Sequence, residues 1–238
     1  MNMKLTNKRL ISALVVISVG LTSIFYANFN LSLPVNKIQN EKTITILIDP
    51  GHGGIDGGAQ SRNGTCEKDI NLNISKKLKD MLISSGYNVV MTREKDMGLY
   101  GENKTVKQKK VEDLNNRCKM KKDSSCDIFM SIHLNMFPES KYSGAQVWYS
   151  KNPQSQELAS VIQGNLKKDI DPNNNREQKP ALDSYKVLRC NDDMPSVLIE
   201  CGFLSNPSEE QKLKTDAYQT SIAKCLCNSI NQYCKSKQ

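Results

Sequence analysis

Residues 44–54 read ITILIDPGHGG, an apolar run followed by an aspartate, a proline and a glycine-rich turn that contains His52. Such a short run, rich in β-branched residues and bounded by Pro and Gly, predicts a buried β-strand. Similar runs occupy residues 128–132 (IFMSI), which lead into His133, and 196–199 (SVLI), which end in Glu200. Catalytic groups and ligands gather at the carboxyl ends of strands in α/β sheets. We therefore predict that His52, His133 and Glu200 meet at one sheet edge.

The remainder of the chain alternates helical and strand patterns from residue 43 onwards. Further strands are predicted at 88–92, 145–149 and 185–188, without internal repeats. Apolar residues three and four positions apart predict the helices between them. Their apolar faces are Ile70, Ile74, Leu78, Met81 and Leu82; Val111, Leu114 and Cys118; Leu158, Val161, Ile162 and Leu166; and Tyr218, Ile222, Cys225, Leu226 and Tyr233. This alternation predicts a single α/β domain over 43–238, a mixed sheet with helices on both faces.

The N-terminal 29 residues resemble a membrane segment. Residues 10–29 are mainly apolar and uncharged, and they follow Lys4, Lys8 and Arg9. About 20 such residues suffice to cross a bilayer, and residues 25–27 (FYA) lack the small-x-small pattern of a signal cleavage site. We therefore favour an uncleaved anchor over a cleaved signal for 1–29. Residues 30–42 are then a linker, with the domain exported.

The chain carries a formal net charge of +8 but an aromatic content of only 6%. No recognised nucleic-acid-binding motif accompanies this charge, so we expect no nucleic-acid partner. A solvated basic surface is the simpler interpretation. Attraction to an anionic polymer such as a cell wall is the functional alternative.

Eight cysteines in an exported chain would ordinarily indicate disulfides. Here no C-x-x-C pair occurs, so a cysteine-rich structural zinc site is not expected. Buried free thiols are the preferred interpretation, although the sequence does not determine whether one or two disulfides form.

Two imidazoles near a carboxylate are typical of a catalytic zinc site, which has three protein ligands and one open position. His52 and His133 supply two ligands, and Glu67, at the start of a predicted helix, is the candidate third. A carboxylate there is equally typical of an ordinary helix N-terminus. Glu200 would then act as a general base. Cys201 could be a nucleophile, but no third histidine exists to activate it, so we interpret it as a core thiol.

Four segments together resemble the zinc-dependent N-acetylmuramoyl-L-alanine amidases. They are 48–54 (IDPGHGG), 66–72 (CEKDINL), 130–135 (MSIHLN) and 199–206 (IECGFLSN), in family order. The resemblance implies zinc held by His52, Glu67 and His133, with Glu200 as the catalytic carboxylate. It also implies a twisted, phosphorylase/hydrolase-like sheet, and hydrolysis of the amide between the lactyl group of N-acetylmuramic acid and L-alanine in peptidoglycan.

Residues 136–144 are too short for the blocking helix that some septal relatives insert, and we recognise no wall-binding module. The resemblance is therefore greatest to the sporulation subgroup, which removes peptides from spore cortex on the way to muramic-δ-lactam. This implies a location in the intermembrane or cortex space of the forespore. Because neither a wall-binding module nor a blocking helix is recognised, we expect an accessory protein at the membrane surface to target or activate the enzyme. The alternatives are a vegetative autolysin and a zinc peptidase of stem peptides. For Arg93 and Arg117 we expect loop bracing rather than binding of a peptide carboxylate.

Overall fold

The computed structural model describes residues 43–237. The predicted anchor (1–29) and linker (30–42) lie outside these residues. Within the described part, no helix is both long enough and apolar enough to cross a membrane.

Six strands form one mixed sheet in the order β2-β1-β3-β6-β4-β5. β1, β2, β3 and β6 run parallel, and β4 pairs with β6 in the antiparallel direction. The strands are β1 (Thr45–Pro50), β2 (Asn88–Met91), β3 (Ile128–Asn135), β4 (Gln146–Tyr149), β5 (Lys179–Pro180) and β6 (Ser196–Phe203).

Helices connect these strands, as the alternating pattern predicts. They are α1 (Glu67–Ser84), α2 (Val106–Asp123), α3 (Pro153–Asn165), α4 (Lys186–Arg189), α5 (Pro207–Leu213) and α6 (Asp216–Lys235), with a π-helical turn at Leu166–Ile170 after α3. Local sequence starts several of them. Thr105 and Gln108 form a capping box at α2, and Asn206 caps α5 ahead of Pro207. Both arrangements satisfy backbone N–H groups that the first helical turn leaves unpaired.

The sheet carries a separate apolar core on each face. On one face, alternate strand residues such as Ile46, Met130 and Ile199 pack in one cluster with apolar residues of α1, α3 and α6. On the other face, Leu47, Phe129 and Leu198 form a smaller core with side chains from α2 and α4. This alternation follows the two-residue period of a strand, and it confirms the predicted α/β domain with a mixed sheet.

Strand register brings the predicted functional residues to one edge. In the parallel pair β3–β6, His133 lies opposite Glu200, and β1 ends at Pro50 opposite Ile132. The chain therefore leaves β1 and β3 in the same direction.

Two predictions about strands need correction. Residues 185–188 were expected to be a strand, but Lys186–Arg189 forms the short helix α4. Val187 and Leu188 are buried in the smaller core while Arg189 is exposed; so short an apolar run does not distinguish the two structures. Glu200 was expected to end its strand, but β6 continues to Phe203 and is buried throughout.

The helix α2 forms as predicted, although its expected apolar face is largely exposed. Val111 and Leu114 are 51% and 39% exposed. The buried residues of α2 are Arg117, Cys118 and Lys121.

The preference for free thiols is wrong at one pair of cysteines. Cys118 in α2 forms a disulfide with Cys190, which follows α4. Since 72 residues separate them, local spacing could not indicate the pairing. The other six cysteines of the described residues are free, and all but Cys66 are buried, Cys201 among them.

Candidate active site

Glu67, the first residue of α1, lies between the two histidines. Its Oε2 is 3.2 Å from His52 Nε2, and its Oε1 is 2.9 Å from His133 Nδ1. The ligand-type atoms of the three residues all lie within 4.8 Å of one another. The structure therefore brings together the three residues that the sequence proposed as metal ligands, in a group that could hold a metal ion.

Further donors hold the Glu67 carboxylate, which is only 3% exposed. Oε1 accepts hydrogen bonds from the backbone N–H of Leu134 at 2.9 Å and from Asn71 Nδ2 at 3.2 Å. Oε2 accepts one from the N–H of Ala59 at 2.8 Å. Burial would raise the pKa of Glu67, but the hydrogen bonds and positive charge of the two histidines outweigh it and hold that pKa well below its usual range. The carboxylate is thus anionic.

His52 is oriented by its second ring nitrogen. His52 Nδ1 lies 2.9 Å from Asp56 Oδ2, and Asp56 Oδ1 lies 2.9 Å from Lys110 Nζ. This leaves His52 Nε2 directed at Glu67. Burial lowers the pKa of His52, but the hydrogen bonds and negative charges of Asp56 and Glu67 outweigh that effect and raise it to about 9. The two carboxylates thus give the His52 ring a negatively charged environment.

Two features of the glycine-rich turn permit this close arrangement. A Cβ on Gly51 would lie 2.3 Å from atoms of the His133 ring, so only glycine allows the imidazole to approach the backbone. His52 itself has a φ of +62°. This left-handed conformation is unusual for a residue other than glycine, and surrounding contacts must maintain it.

Two buried arginines maintain the loop, as predicted. Arg93 donates to the carbonyls of Pro50 and Gly51, at 3.0 and 2.9 Å. Arg117 donates to the carbonyls of Pro50 and His52, at 2.8 and 2.6 Å. Their guanidinium groups brace the backbone that carries His52.

Glu200 is close to this group but differs in its surroundings. It is 6% exposed, and its Oε1 accepts a hydrogen bond of 3.4 Å from Tyr185 Oη. Its Oε2 is buried without a hydrogen-bond partner among the described residues. Burial, opposed in part by the charge of His133, raises the pKa of Glu200 to about 7. A carboxyl group with this pKa can exchange a proton near neutral pH.

A cavity of about 230 Å³ opens between these elements. His52 and His133 line it, together with Lys110 and Leu114 of α2 and with Tyr185 and Lys186. The cavity therefore gives a substrate access to both histidines.

The sequence reasoning missed three residues of the site. Asp56 follows His52 by four positions, and Asp49 ends the first apolar run, so both had a positional signal. Tyr185 had none, because its segment was interpreted as a strand.

Asp49 is buried and accepts hydrogen bonds of 2.7 Å from both Thr92 and Ser131. Burial would raise its pKa, but Arg117 and these hydroxyls hold that pKa below its usual range.

Comparison with known proteins finds a matching family and a similar relative. Residues 46–232 match the Amidase_3 family, described as N-acetylmuramoyl-L-alanine amidase. The chain is 39% identical over 194 residues to the germination-specific N-acetylmuramoyl-L-alanine amidase of Bacillus subtilis (strain 168), covering 81% of this chain and 80% of the relative.

Two solved structures share the fold. The CwlD amidase from Clostridioides difficile, solved in complex with the GerS lipoprotein, is 47% identical with a TM-score of 0.79, covering 82% of this chain and 100% of that one. An N-acetylmuramoyl-L-alanine amidase from Clostridium difficile 630 is 34% identical with a TM-score of 0.71, covering 82% and 99%. The family resemblance noted in the sequence is thereby confirmed: the chain belongs to the N-acetylmuramoyl-L-alanine amidases of the Amidase_3 family, enzymes of peptidoglycan hydrolysis.

Proposed function

We propose that this amidase is a zinc enzyme with His52, Glu67 and His133 as its metal ligands. The observation that carries the proposal is the convergence of their ligand atoms within 4.8 Å. Two imidazoles and one carboxylate match the donor set of catalytic zinc sites, which keep a fourth position open. The contact between His52 Nδ1 and Asp56 supports this, because metal-binding histidines commonly donate their other N–H to a carboxylate.

We assign Glu200 as the general base. Bound zinc would polarise the scissile carbonyl and make a water molecule more acidic. The Glu200 carboxylate then takes a proton from the attacking water and delivers it to the departing amine of L-alanine. Its burial beside His133 and its pKa of about 7 suit a group that must accept and release a proton in one cycle.

The proposed substrate is peptide-bearing spore-cortex peptidoglycan, from which the enzyme removes peptides as a step towards muramic-δ-lactam. Support comes from the similarity to the germination-specific amidase of B. subtilis. A vegetative autolysin remains the alternative biological role, since the same bond would be cleaved. A stem-peptide peptidase would use the same residues on a different bond.

We further propose that residues 1–29 anchor the enzyme to a membrane and that it acts outside the cytoplasm, in the intermembrane or cortex space of the forespore. The uncharged apolar run that follows three basic residues supports this location. An accessory protein is proposed to target or activate the enzyme. The similarity to the CwlD amidase, whose structure was solved in complex with the GerS lipoprotein, supports a partner of that kind.

The test is to incubate the purified full-length protein, loaded with zinc, with peptide-rich cortex peptidoglycan and to identify the products. We expect new L-alanine amino ends and muramic acid freed of peptide. Glu200→Gln and a chelator-treated sample should yield neither. Cuts within the peptide would instead establish a peptidase, and cleavage by Glu200→Gln at the wild-type rate would exclude Glu200 as the base.

A further inference from the structure

The two oxygens of the buried Glu200 carboxylate have different environments. Oε1 accepts the hydrogen bond from Tyr185 Oη at 3.4 Å, whereas Oε2 has no partner among the described residues. Buried polar atoms are normally paired, so an unpaired one calls for an explanation. One oxygen is thus held by a hydroxyl donor, and the other has no donor from the described residues.

The Tyr185 ring has a fixed place in the fold. It packs against Trp148 with ring centroids 5.6 Å apart, at the border of the smaller core. The ring has few rotatable bonds, so packing it also fixes its hydroxyl group. Tyr185 therefore presents its donor to Glu200 at little entropic cost.

The backbone after Tyr185 is tied to α2. Lys121 Nζ donates to the carbonyls of Val187 and Cys190, at 3.0 and 2.9 Å. The disulfide between Cys118 and Cys190 joins the same two segments. The segment that carries Tyr185 is thus held against the helix that also braces the His52 loop.

Tyr185 also lines the cavity that contains His52 and His133. Tyr185 therefore contacts both the cavity and the buried carboxylate. A donor at this place limits rotation of the carboxylate without filling the site.

We propose that Tyr185 is a positioning residue of the amidase reaction, whose hydroxyl holds Glu200 Oε1 and thereby orients Oε2 for proton transfer. This inference rests on the proposed role of Glu200 as general base. Correct orientation of a catalytic group acts mainly on the chemical step, so Tyr185 should influence kcat more than KM.

The test is Tyr185→Phe, which keeps the ring against Trp148 and removes only the hydroxyl. In the full-length, zinc-loaded enzyme acting on cortex peptidoglycan, we expect kcat to fall roughly 10- to 150-fold, the range for one hydrogen bond to a charged group. KM should stay within about twofold, since ground-state binding is unchanged, and zinc content should equal that of the wild type. Tyr233→Phe, which removes the hydroxyl of a buried tyrosine in the core on the other face of the sheet, is the matched control and should retain wild-type kcat.

Combining Tyr185→Phe with Glu200→Gln separates this inference from the proposed function. If the hydroxyl acts through Glu200, the double variant should be no slower than Glu200→Gln alone. An active Glu200→Gln would remove the base assignment, and this inference with it. If Glu200→Gln is inactive while Tyr185→Phe keeps the wild-type kcat, the assignment of Glu200 as the base stands and the inference about Tyr185 is overturned. A change in KM alone would make Tyr185 a substrate contact and overturn it as well.

Thermal unfolding of each variant tests whether a lower kcat merely reflects a less stable fold. If Tyr185→Phe unfolds at a lower temperature, kcat is compared well below that transition. A kcat that returns to the wild-type value under those conditions would overturn the inference, and one that stays low would support it.

Discussion

Arg117 and Asp49 form a buried ion pair beneath the His52 loop, with Nη1 2.5 Å from Oδ1 and side chains only 2% and 1% exposed. The same guanidinium donates to the backbone carbonyls of Pro50 and His52. One side chain therefore joins α2, the end of β1 and the turn that holds a proposed metal ligand in a left-handed conformation.

Replacing this arginine should destabilise the fold. Arg117→Met leaves the Asp49 carboxylate buried without its counter-ion, which typically costs about 3–5 kcal/mol of unfolding free energy. Urea unfolding of the metal-free protein measures the change. The exposed Arg62, changed to Met, is the control and should shift stability by less than about 0.5 kcal/mol. Equal effects of the two changes would show that the buried pair has no special role.

The disulfide between Cys118 and Cys190 should stabilise the domain. Disulfides typically contribute about 2–4 kcal/mol by restricting the unfolded chain, and this one joins residues with a sequence separation of 72. A dithiol reductant should therefore lower the wild-type unfolding midpoint. The double variant Cys118→Ser/Cys190→Ser should unfold at that lower midpoint and not respond to the reductant. A wild-type protein insensitive to reductant would contradict the expectation.

Asp56→Asn should weaken zinc binding without removing a proposed ligand. Loss of a carboxylate that orients a metal-binding histidine typically reduces metal affinity about 10- to 100-fold. Competition with a chromogenic chelator measures this affinity directly, independently of catalysis. Asp96→Asn is a matched control, because Asp96 contacts the same glycine-rich turn through the N–H of Gly54 but neither histidine. Unchanged affinity in Asp56→Asn would show that other contacts orient His52.

The raised pKa of Glu200 makes stability depend on pH. Between its ordinary value of 4.5 and about 7, the folded state binds more protons than the unfolded state, so stability falls as pH rises through this range. In the metal-free protein at pH 8, Glu200→Gln should therefore be more stable, by ~3 kcal/mol at most. At pH 4, where the carboxyl is protonated in the folded state, the gain should disappear. Thermal melts at both pH values measure it, and equal gains at both would disprove the link to ionisation.

The sequence by itself determined the features that depend on neighbouring residues. The apolar runs at residues 45–48, 128–132 and 196–199 form buried strands, and Ile70, Ile74 and Leu78 form the buried face of α1. These follow from the two-residue period of strands and the 3.6-residue period of helices. The family could also be recognised from the sequence. Its motifs, the glycine-rich first turn and the residues that follow the strands, are continuous stretches of the chain.

Only the tertiary structure decided the contacts between distant parts of the chain. Glu67 meets His133 across 66 positions, and Arg117 meets Asp49 across 68. The pairing of Cys118 with Cys190, the helical form of Lys186–Arg189 and the contact of Tyr185 with Glu200 belong to the same class. Such contacts depend on strand register and on which helix covers which face. Those are set by the packing of the whole domain, and no local period in the sequence encodes them.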